Sequence, residues 1–263
     1  MSSSISICVI YPDLLGTYGD GGNAIVLAQR LRWRGIKAET KLVDLGEDVP
    51  AGCDIYLLGG GEDQPQVSVT ERLAETRVLH KAVDAGAVVF GVCAGMQILG
   101  KQFPGADYKL RPGLGLIDIE TQRGDGPRRV GELATRGEIN GAAVDYTGYE
   151  NHQGITFLGS EARPLAQVVS GIGNEDGKGT EGAVQGRIIT TYMHGPALVR
   201  NANLADQLLE MATGSALEPV NDVEVDGLRR ERFAAAHGRK HADSTQGAGI
   251  GVIGDLRRRV KRR

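Results

Sequence analysis

Three short blocks of apolar residues, each running into glycine, constrain the fold of this chain more than any other feature. Residues 5–10 (ISICVI), 54–60 (DIYLLGG) and 87–92 (AVVFGV) are continuous rather than alternating. That pattern is expected of strands covered on both faces of a parallel sheet. Between the blocks, Ala24, Leu27, Ala28 and Leu31 repeat with helical spacing before Gly35 stops the segment. Val69, Leu73, Leu79 and Val83 mark a further amphipathic stretch, and AGMQILGKQF follows the third block with helical character. Strands alternating with helices predict an α/β fold of βαβ units around a mostly parallel sheet.

The character changes from about residue 114. Segments 114–120, 128–135, 154–159 and 164–170 read as short strands separated by Gly, Asp and Asn turns. RIITTYM at 187–193 is the last clear strand, and Leu204, Leu208 and Met211 lie on a final helix. No internal repeat is visible. One domain over residues 1–219 is expected, with residues 220–263 as a basic C-terminal tail. From residue 226 onward there are 11 Lys/Arg against 4 Asp/Glu, although the whole chain carries −3. Such a tail can bind nucleic acid or an anionic surface. It can equally be a solvated, partly disordered end, since residues 237–251 are rich in Gly, His, Ser and Gln. The second reading is the plainer one, and no nucleic-acid partner is expected.

No apolar run approaches the 18 or more residues of a membrane span, and MSSSISICVIYP lacks the charged and apolar regions of a signal peptide. Cys8, Cys53 and Cys93 form no CxxC pair and are odd in number, which argues against a disulfide framework or a zinc site. A cytoplasmic protein with reduced thiols is expected.

Chemistry concentrates at Gly91-Val92-Cys93-Ala94-Gly95, where a strand meets a helix. This has the form of a nucleophile elbow with cysteine in place of serine. The glycines permit a tight turn and close backbone packing. A helix N-terminus behind Cys93 would favour its thiolate, the reactive species. The Ala94 N–H is then placed to bind an oxyanion, and the Gly59-Gly60-Gly61 turn can offer a second donor from Gly60 or Gly61. A small buried cysteine is the ordinary explanation for Cys8 and Cys53, within or beside apolar strands. It does not explain Cys93, because glycine at both −2 and +2 has little purpose in a plain core.

A thiol nucleophile needs a base. His194 stands where RIITTYM ends, at the same sheet edge as Cys93, which is where open α/β sheets bind ligands. His80 belongs to an amphipathic helix and is expected at the surface. His152, in ENHQG, is either structural or part of the site.

With these residues in place, the chain resembles the class I, triad-type glutamine amidotransferases. Within them it is similar to the cobyric-acid-synthase-like branch, and there to the glutaminase subunits of lipid II isoglutaminyl synthases. The resemblance rests on YGDGGN at 18–23, LLGGGEDQPQ at 57–66, GVCAGMQILG at 91–100, RRVGE at 128–132, YENHQG at 149–154 and TYMHGP at 191–196. These follow one another in the family's order. The resemblance implies a flavodoxin-like sheet flanked by helices and a catalytic pair of Cys93 and His194. It implies an arginine that holds the incoming glutamine, falling best on Arg128, with Arg129 its neighbour in that alignment, and a pocket lined by Gln97. It also implies a MurT-like, Mur-ligase-type partner in a heterodimer, with lipid II as acceptor and ATP and magnesium on the partner. Many relatives carry a glutamate two residues after the histidine to orient it. Here that position is Pro196, so the third member must come from elsewhere in the chain, from the partner, or be absent.

Ligation to a carboxylate needs ATP, and no GxxxxGK[ST] phosphate loop is present. GDGGN at 19–23 is glycine-rich but lacks the lysine, so it is a weak phosphate cradle. The activating half is therefore expected on another polypeptide. Three alternatives remain: a glutaminase serving another acceptor such as a corrinoid acid; a cysteine hydrolase or peptidase of the same architecture, in which Arg128 and Gln97 would have no role; and a non-catalytic binding subunit, against which an intact Cys93 and His194 argue.

Overall fold

The computed structural model describes residues 4–246. The first half runs β1 (Ile5–Ile10), α1 (Gly22–Trp33), β2 (Ala38–Val43), β3 (Ile55–Leu58), α2 (Asp63–Thr76), α3 (Val78–Asp84), β4 (Val88–Val92) and α4 (Ala94–Leu99). Ten short elements follow: β5 (Gln102–Pro104), β6 (Leu110–Pro112), β7 (Ile119–Arg123), β8 (Arg129–Ile139), β9 (Ala142–His152), β10 (Gly154–Leu158), β11 (Ala166–Ser170), β12 (Thr180–Glu181), β13 (Ala183–Gln185) and β14 (Ile188–Thr191). Helices α5 (Ala197–Arg200), α6 (Ala202–Thr213) and α7 (Val223–Gln246) complete the described chain.

The three apolar blocks become β1, β3 and β4, side by side in a six-stranded sheet ordered β13-β14-β4-β3-β1-β2. All pairings are parallel except that of β13 with β14. Taken in chain order, the five parallel strands lie 2-1-3-4-5, the flavodoxin-like arrangement. Every residue of β3, β4 and β14 is buried, because helices cover both faces and no polar side needs to face water. Helix α1 packs with α5 and α6, while α2 packs with α3 and α4. Strand β2 escapes the apolar pattern because it is the sheet's edge. Its sequence AETKLV is largely exposed, and charged side chains suit an edge that must not pair further.

Two four-stranded sheets, β10-β7-β5-β6 and β12-β11-β8-β9, build the second half. Its largest feature is the hairpin of β8 and β9, eleven residues each. The two strands are joined at Asn140-Gly141, whose φ values are +50° and +81°. Two successive positive φ angles define the turn whose twist matches paired strands, and Asn-Gly is the pair that adopts it at least cost. Strand β9 was not foreseen, and the strand expected at 114–120 begins only at Ile119. Strand β9 reaches back to the central sheet, where the His194 N–H donates to Tyr149 O at 2.8 Å.

The first part of the expected basic tail is helical. Residues 223–246 form helix α7, which packs on β8, β9, β11 and α5. Ser170 Oγ donates to Ala236 O at 3.0 Å, and the Arg136 guanidinium lies 5.4 Å from the Phe233 ring. The approach to α7 is pinned by Arg30, 3% exposed, which forks onto both Asp206 and Asp222 with four bonds of 2.7–2.8 Å. Burying that guanidinium is tolerable because two carboxylates satisfy it. The remainder of the expected tail, 247–263, lies outside the described residues.

Candidate active site

The ends of four parallel strands converge on one point. After β4 the chain turns through Cys93, whose φ of +50° and ψ of −102° lie in a sparsely allowed region. Holding a non-glycine residue there costs on the order of 1–3 kcal/mol, which the surrounding packing must offset. The packing is explicit at Gly95: a β-carbon there would collide with Leu58 O of the neighbouring strand. The elbow thus exists because glycine allows α4 to press onto β3, and it presents Cys93 at the sheet edge, 6% exposed.

His194 follows β14 and is 1% exposed. Its Nδ1 donates to Asp20 Oδ2 at 3.1 Å. Asp20 comes from the loop between β1 and α1 and is itself held by two backbone donors, Gly60 N–H at 2.8 Å and Gly195 N–H at 3.0 Å. This loop is the glycine-rich segment weighed above as a phosphate cradle. Its function in the structure is to place a buried carboxylate behind the histidine. The third member left open by Pro196 is therefore in this chain, 174 residues before His194. The available signal was an acid within a glycine loop after the first strand, which the His-x-Glu pattern of relatives does not point to.

The electrostatics follow from this geometry. Burial is the largest single influence on His194 and disfavours its charge. Hydrogen bonding to Asp20 and the neighbouring Cys93 outweigh it and raise the pKa from 6.5 to about 9. The imidazolium is thus the prevalent form at neutral pH. Nε2 makes no hydrogen bond among the described residues, which leaves it available to Cys93 and to a bound molecule. A histidine raised on folding stabilises the fold fully below its unfolded pKa of 6.5, and the contribution fades as pH rises through about 9. The melting-temperature advantage of wild type over His194→Gln should accordingly shrink between pH 6.5 and 9. A difference that stays constant over that window would contradict the assignment.

Cys93 opens onto a polar pocket lined by Gly61, Asp63, Gln66, Ala94, Gln97, Arg123, Arg128, His152, Gln153 and Gly154, among others. Of the expected oxyanion donors, Ala94 and Gly61 border this pocket, whereas Gly60 is corrected: its N–H is committed to Asp20. Gly60 has a different reason to lack a side chain, since a β-carbon there would strike the His194 ring. Gln97 has its carboxamide fixed at both ends, accepting from Gln66 Nε2 at 3.0 Å and donating to Tyr192 OH at 3.3 Å. His152 is both structural and part of the pocket. It stacks on Tyr192 at 3.8 Å, and its Nδ1 donates to Gly154 O at 3.0 Å. His80, expected at the surface, is half-buried and donates from Nε2 to Leu114 O at 2.9 Å.

The two candidate arginines separate cleanly. Arg128 lines the pocket, braced by Asn151 Oδ1, by Asn151 O at 3.0 Å and by Tyr18 OH at 3.3 Å. Tyr18 in turn packs its ring 4.3 Å from His194. Arg129 is not among the residues that line the pocket and is ion-paired with Glu175. Replacing Arg128 with alanine should raise KM for a carboxylate-bearing substrate by roughly 10–100-fold, for a charge-assisted contact of about 1.5–3 kcal/mol. Arg129→Ala should leave KM unchanged. The opposite pattern in steady-state assays would move the role to Arg129.

A thiol on a strained elbow, served by an imidazole that a buried carboxylate orients, defines a cysteine-dependent enzyme of acyl transfer. Residues 6–202 match the CobB/CobQ-like glutamine amidotransferase domain, and the chain belongs to that family. It is 35% identical over 210 residues to the lipid II isoglutaminyl synthase (glutamine-hydrolyzing) subunit GatD of Streptococcus pneumoniae, covering 79% of this chain and 80% of that protein. The GatD subunit of Staphylococcus aureus is 33% identical over 216 residues, covering 81% and 86%. The cobyric acid synthase of Bacteroides fragilis is 31% identical over 207 residues, which are 73% of this chain but 38% of that protein. In fold, a chain from the structure of PurLQS from Thermotoga maritima superposes with a TM-score of 0.54 at 15% identity, covering 81% of this chain and 98% of that one.

Proposed function

We propose that this chain is the glutamine-hydrolysing subunit of a lipid II isoglutaminyl synthase. The observation that carries the reading is Cys93 at the mouth of a pocket that also holds Arg128 and Gln97, beside a buried His194 that Asp20 orients. Cys93 attacks the side-chain carboxamide of glutamine as a thiolate, and the oxyanion forms beside the N–H groups of Ala94 and Gly61. The His194 imidazolium gives its proton to the departing nitrogen, which leaves as ammonia, and a thioester remains on Cys93. His194, now neutral, takes a proton from water, the hydroxide adds to the thioester, and glutamate leaves as the thiolate re-forms.

Ammonia is a useful product only where it is shielded from protonation in bulk water, so a docked acceptor enzyme is part of the proposal. That partner is a MurT-like, Mur-ligase-type subunit which uses ATP and magnesium to activate the D-glutamate α-carboxylate of lipid II, giving D-isoglutamine. The GatD relatives support this acceptor over a corrinoid acid. They are matched over most of their length, whereas the B. fragilis cobyric acid synthase is matched over 38% of its own. Among the described residues no helix is long and apolar enough to cross a membrane, which suits a site of action at the cytoplasmic face. The test is co-expression with a MurT-like protein, then mass-spectrometric analysis of lipid II incubated with the complex, glutamine and ATP. Amidated lipid II that requires both chains is the expected result. Ammonia release without lipid II amidation would reject this acceptor.

A further inference from the structure

The pocket at Cys93 carries charge of both signs. Arg128 lines it, beside a second cation, Arg123, and has its Nη1 free of hydrogen bonds among the described residues. Asp63, in the first turn of α2, lines the same pocket and makes no side-chain hydrogen bond or ion pair among the described residues. Two other acids by this face are engaged, Asp20 by His194 and two backbone donors and Glu175 by Arg129, and Glu62 and Asp125 are not among the residues that line the pocket. A free carboxylate and a free guanidinium edge on one small pocket form a bipolar receptor, and the ligand that satisfies both is a zwitterion.

We infer that Asp63 is the specificity-determining residue that binds the α-ammonium of free glutamine opposite Arg128, an inference that rests on the glutaminase reading above. Its consequence is selectivity for the free amino acid. Glutamine within a peptide has an acylated, uncharged nitrogen, so it forfeits the ion pair with Asp63, an exposed carboxylate, that the free amino acid gains. An acid in a first helical turn also favours the helix dipole. That role would be indifferent to which substrate is bound, and this difference makes the idea testable.

The experiment uses the full chain and two ligands: L-glutamine, and glutaramate, which keeps the carboxamide and carboxylate but lacks the amino group. KM for glutamine and the inhibition constant of glutaramate are measured for wild type, Asp63→Asn, Asp63→Glu and Arg128→Ala. Asp63→Asn should raise KM for glutamine about tenfold, a charge-assisted contact discounted for exposure. It should leave the glutaramate constant and kcat nearly unchanged. Asp63→Glu should recover part of the loss, and Arg128→Ala should weaken both ligands together. Equal weakening of both ligands by Asp63→Asn, or no change in either, would overturn the assignment. A wild-type chain that releases no ammonia from glutamine would instead defeat the underlying glutaminase reading.

Discussion

Cys93→Ala should lower glutamine turnover by at least about 10⁴-fold while the protein remains folded, because no other group can form the thioester. Alanine fits the elbow: its small side chain meets the same backbone angles as cysteine and creates almost no cavity. The two other cysteines provide the contrast. Burial, aided by the proximity of Cys53, pushes the Cys8 thiol up to about 12, and burial pushes Cys53 up as well. Both are therefore protonated and inert at neutral pH, and Cys8→Ala and Cys53→Ala should keep their activity. Ammonia release followed in parallel with circular dichroism decides the matter. Turnover within tenfold of wild type in a folded Cys93→Ala protein would discard the covalent mechanism.

Asp20→Asn should reduce kcat by roughly 10²–10⁴-fold with little effect on KM, the range for losing the group that orients a catalytic imidazole. The carboxylate accepts from His194 Nδ1 and Gly60 N–H on one oxygen and from Gly195 N–H on the other. A carboxamide has a single acceptor, so one of these donors must face an NH₂ group. The substitution also removes the negative charge that raises the His194 pKa, so the high-pH limb of the kcat profile should move down from about 9 toward the ordinary histidine value. A profile unchanged in both height and position would show that Asp20 is only a loop staple. Because Asp20 lies in this chain, the orienting carboxylate need not be brought by a partner, and the loss should appear in the isolated protein.

The parallel sheet was legible in the sequence because its strands are buried on both faces and read as unbroken apolar blocks. Cys93 was legible for a related reason: glycines at −2 and +2 serve local geometry, and local geometry leaves a local trace. What the sequence hid is long-range or edge-exposed. Strand β2 carries the charges of an edge, and β9 contains ordinary polar residues whose pairing with β8 is set by the Asn140-Gly141 turn. Asp20 meets His194 only because β1 and β14 end at the same side of the sheet, which no spacing between residues 20 and 194 records. The family motif pointed to Arg128, but that its neighbour Arg129 is paired with Glu175, 46 residues away, leaves no local trace. Gly60 failed as an oxyanion donor for the same reason, since its N–H was already claimed by Asp20.

The order in which the three reacting groups appear along the chain also matters while the protein is being made. Asp20 emerges from the ribosome first and Cys93 about a third of the way along, but the imidazole follows β14, after most of the described chain. Synthesis runs from the N-terminus at about 5–20 residues per second, so Cys93 exists for several seconds before His194 can reach it. Throughout that interval the thiol has neither its proton acceptor nor the β9 strand that holds the acceptor in place. The nascent chain is thus chemically quiet, and amide-cleaving capacity switches on only when the last strand of the parallel sheet docks.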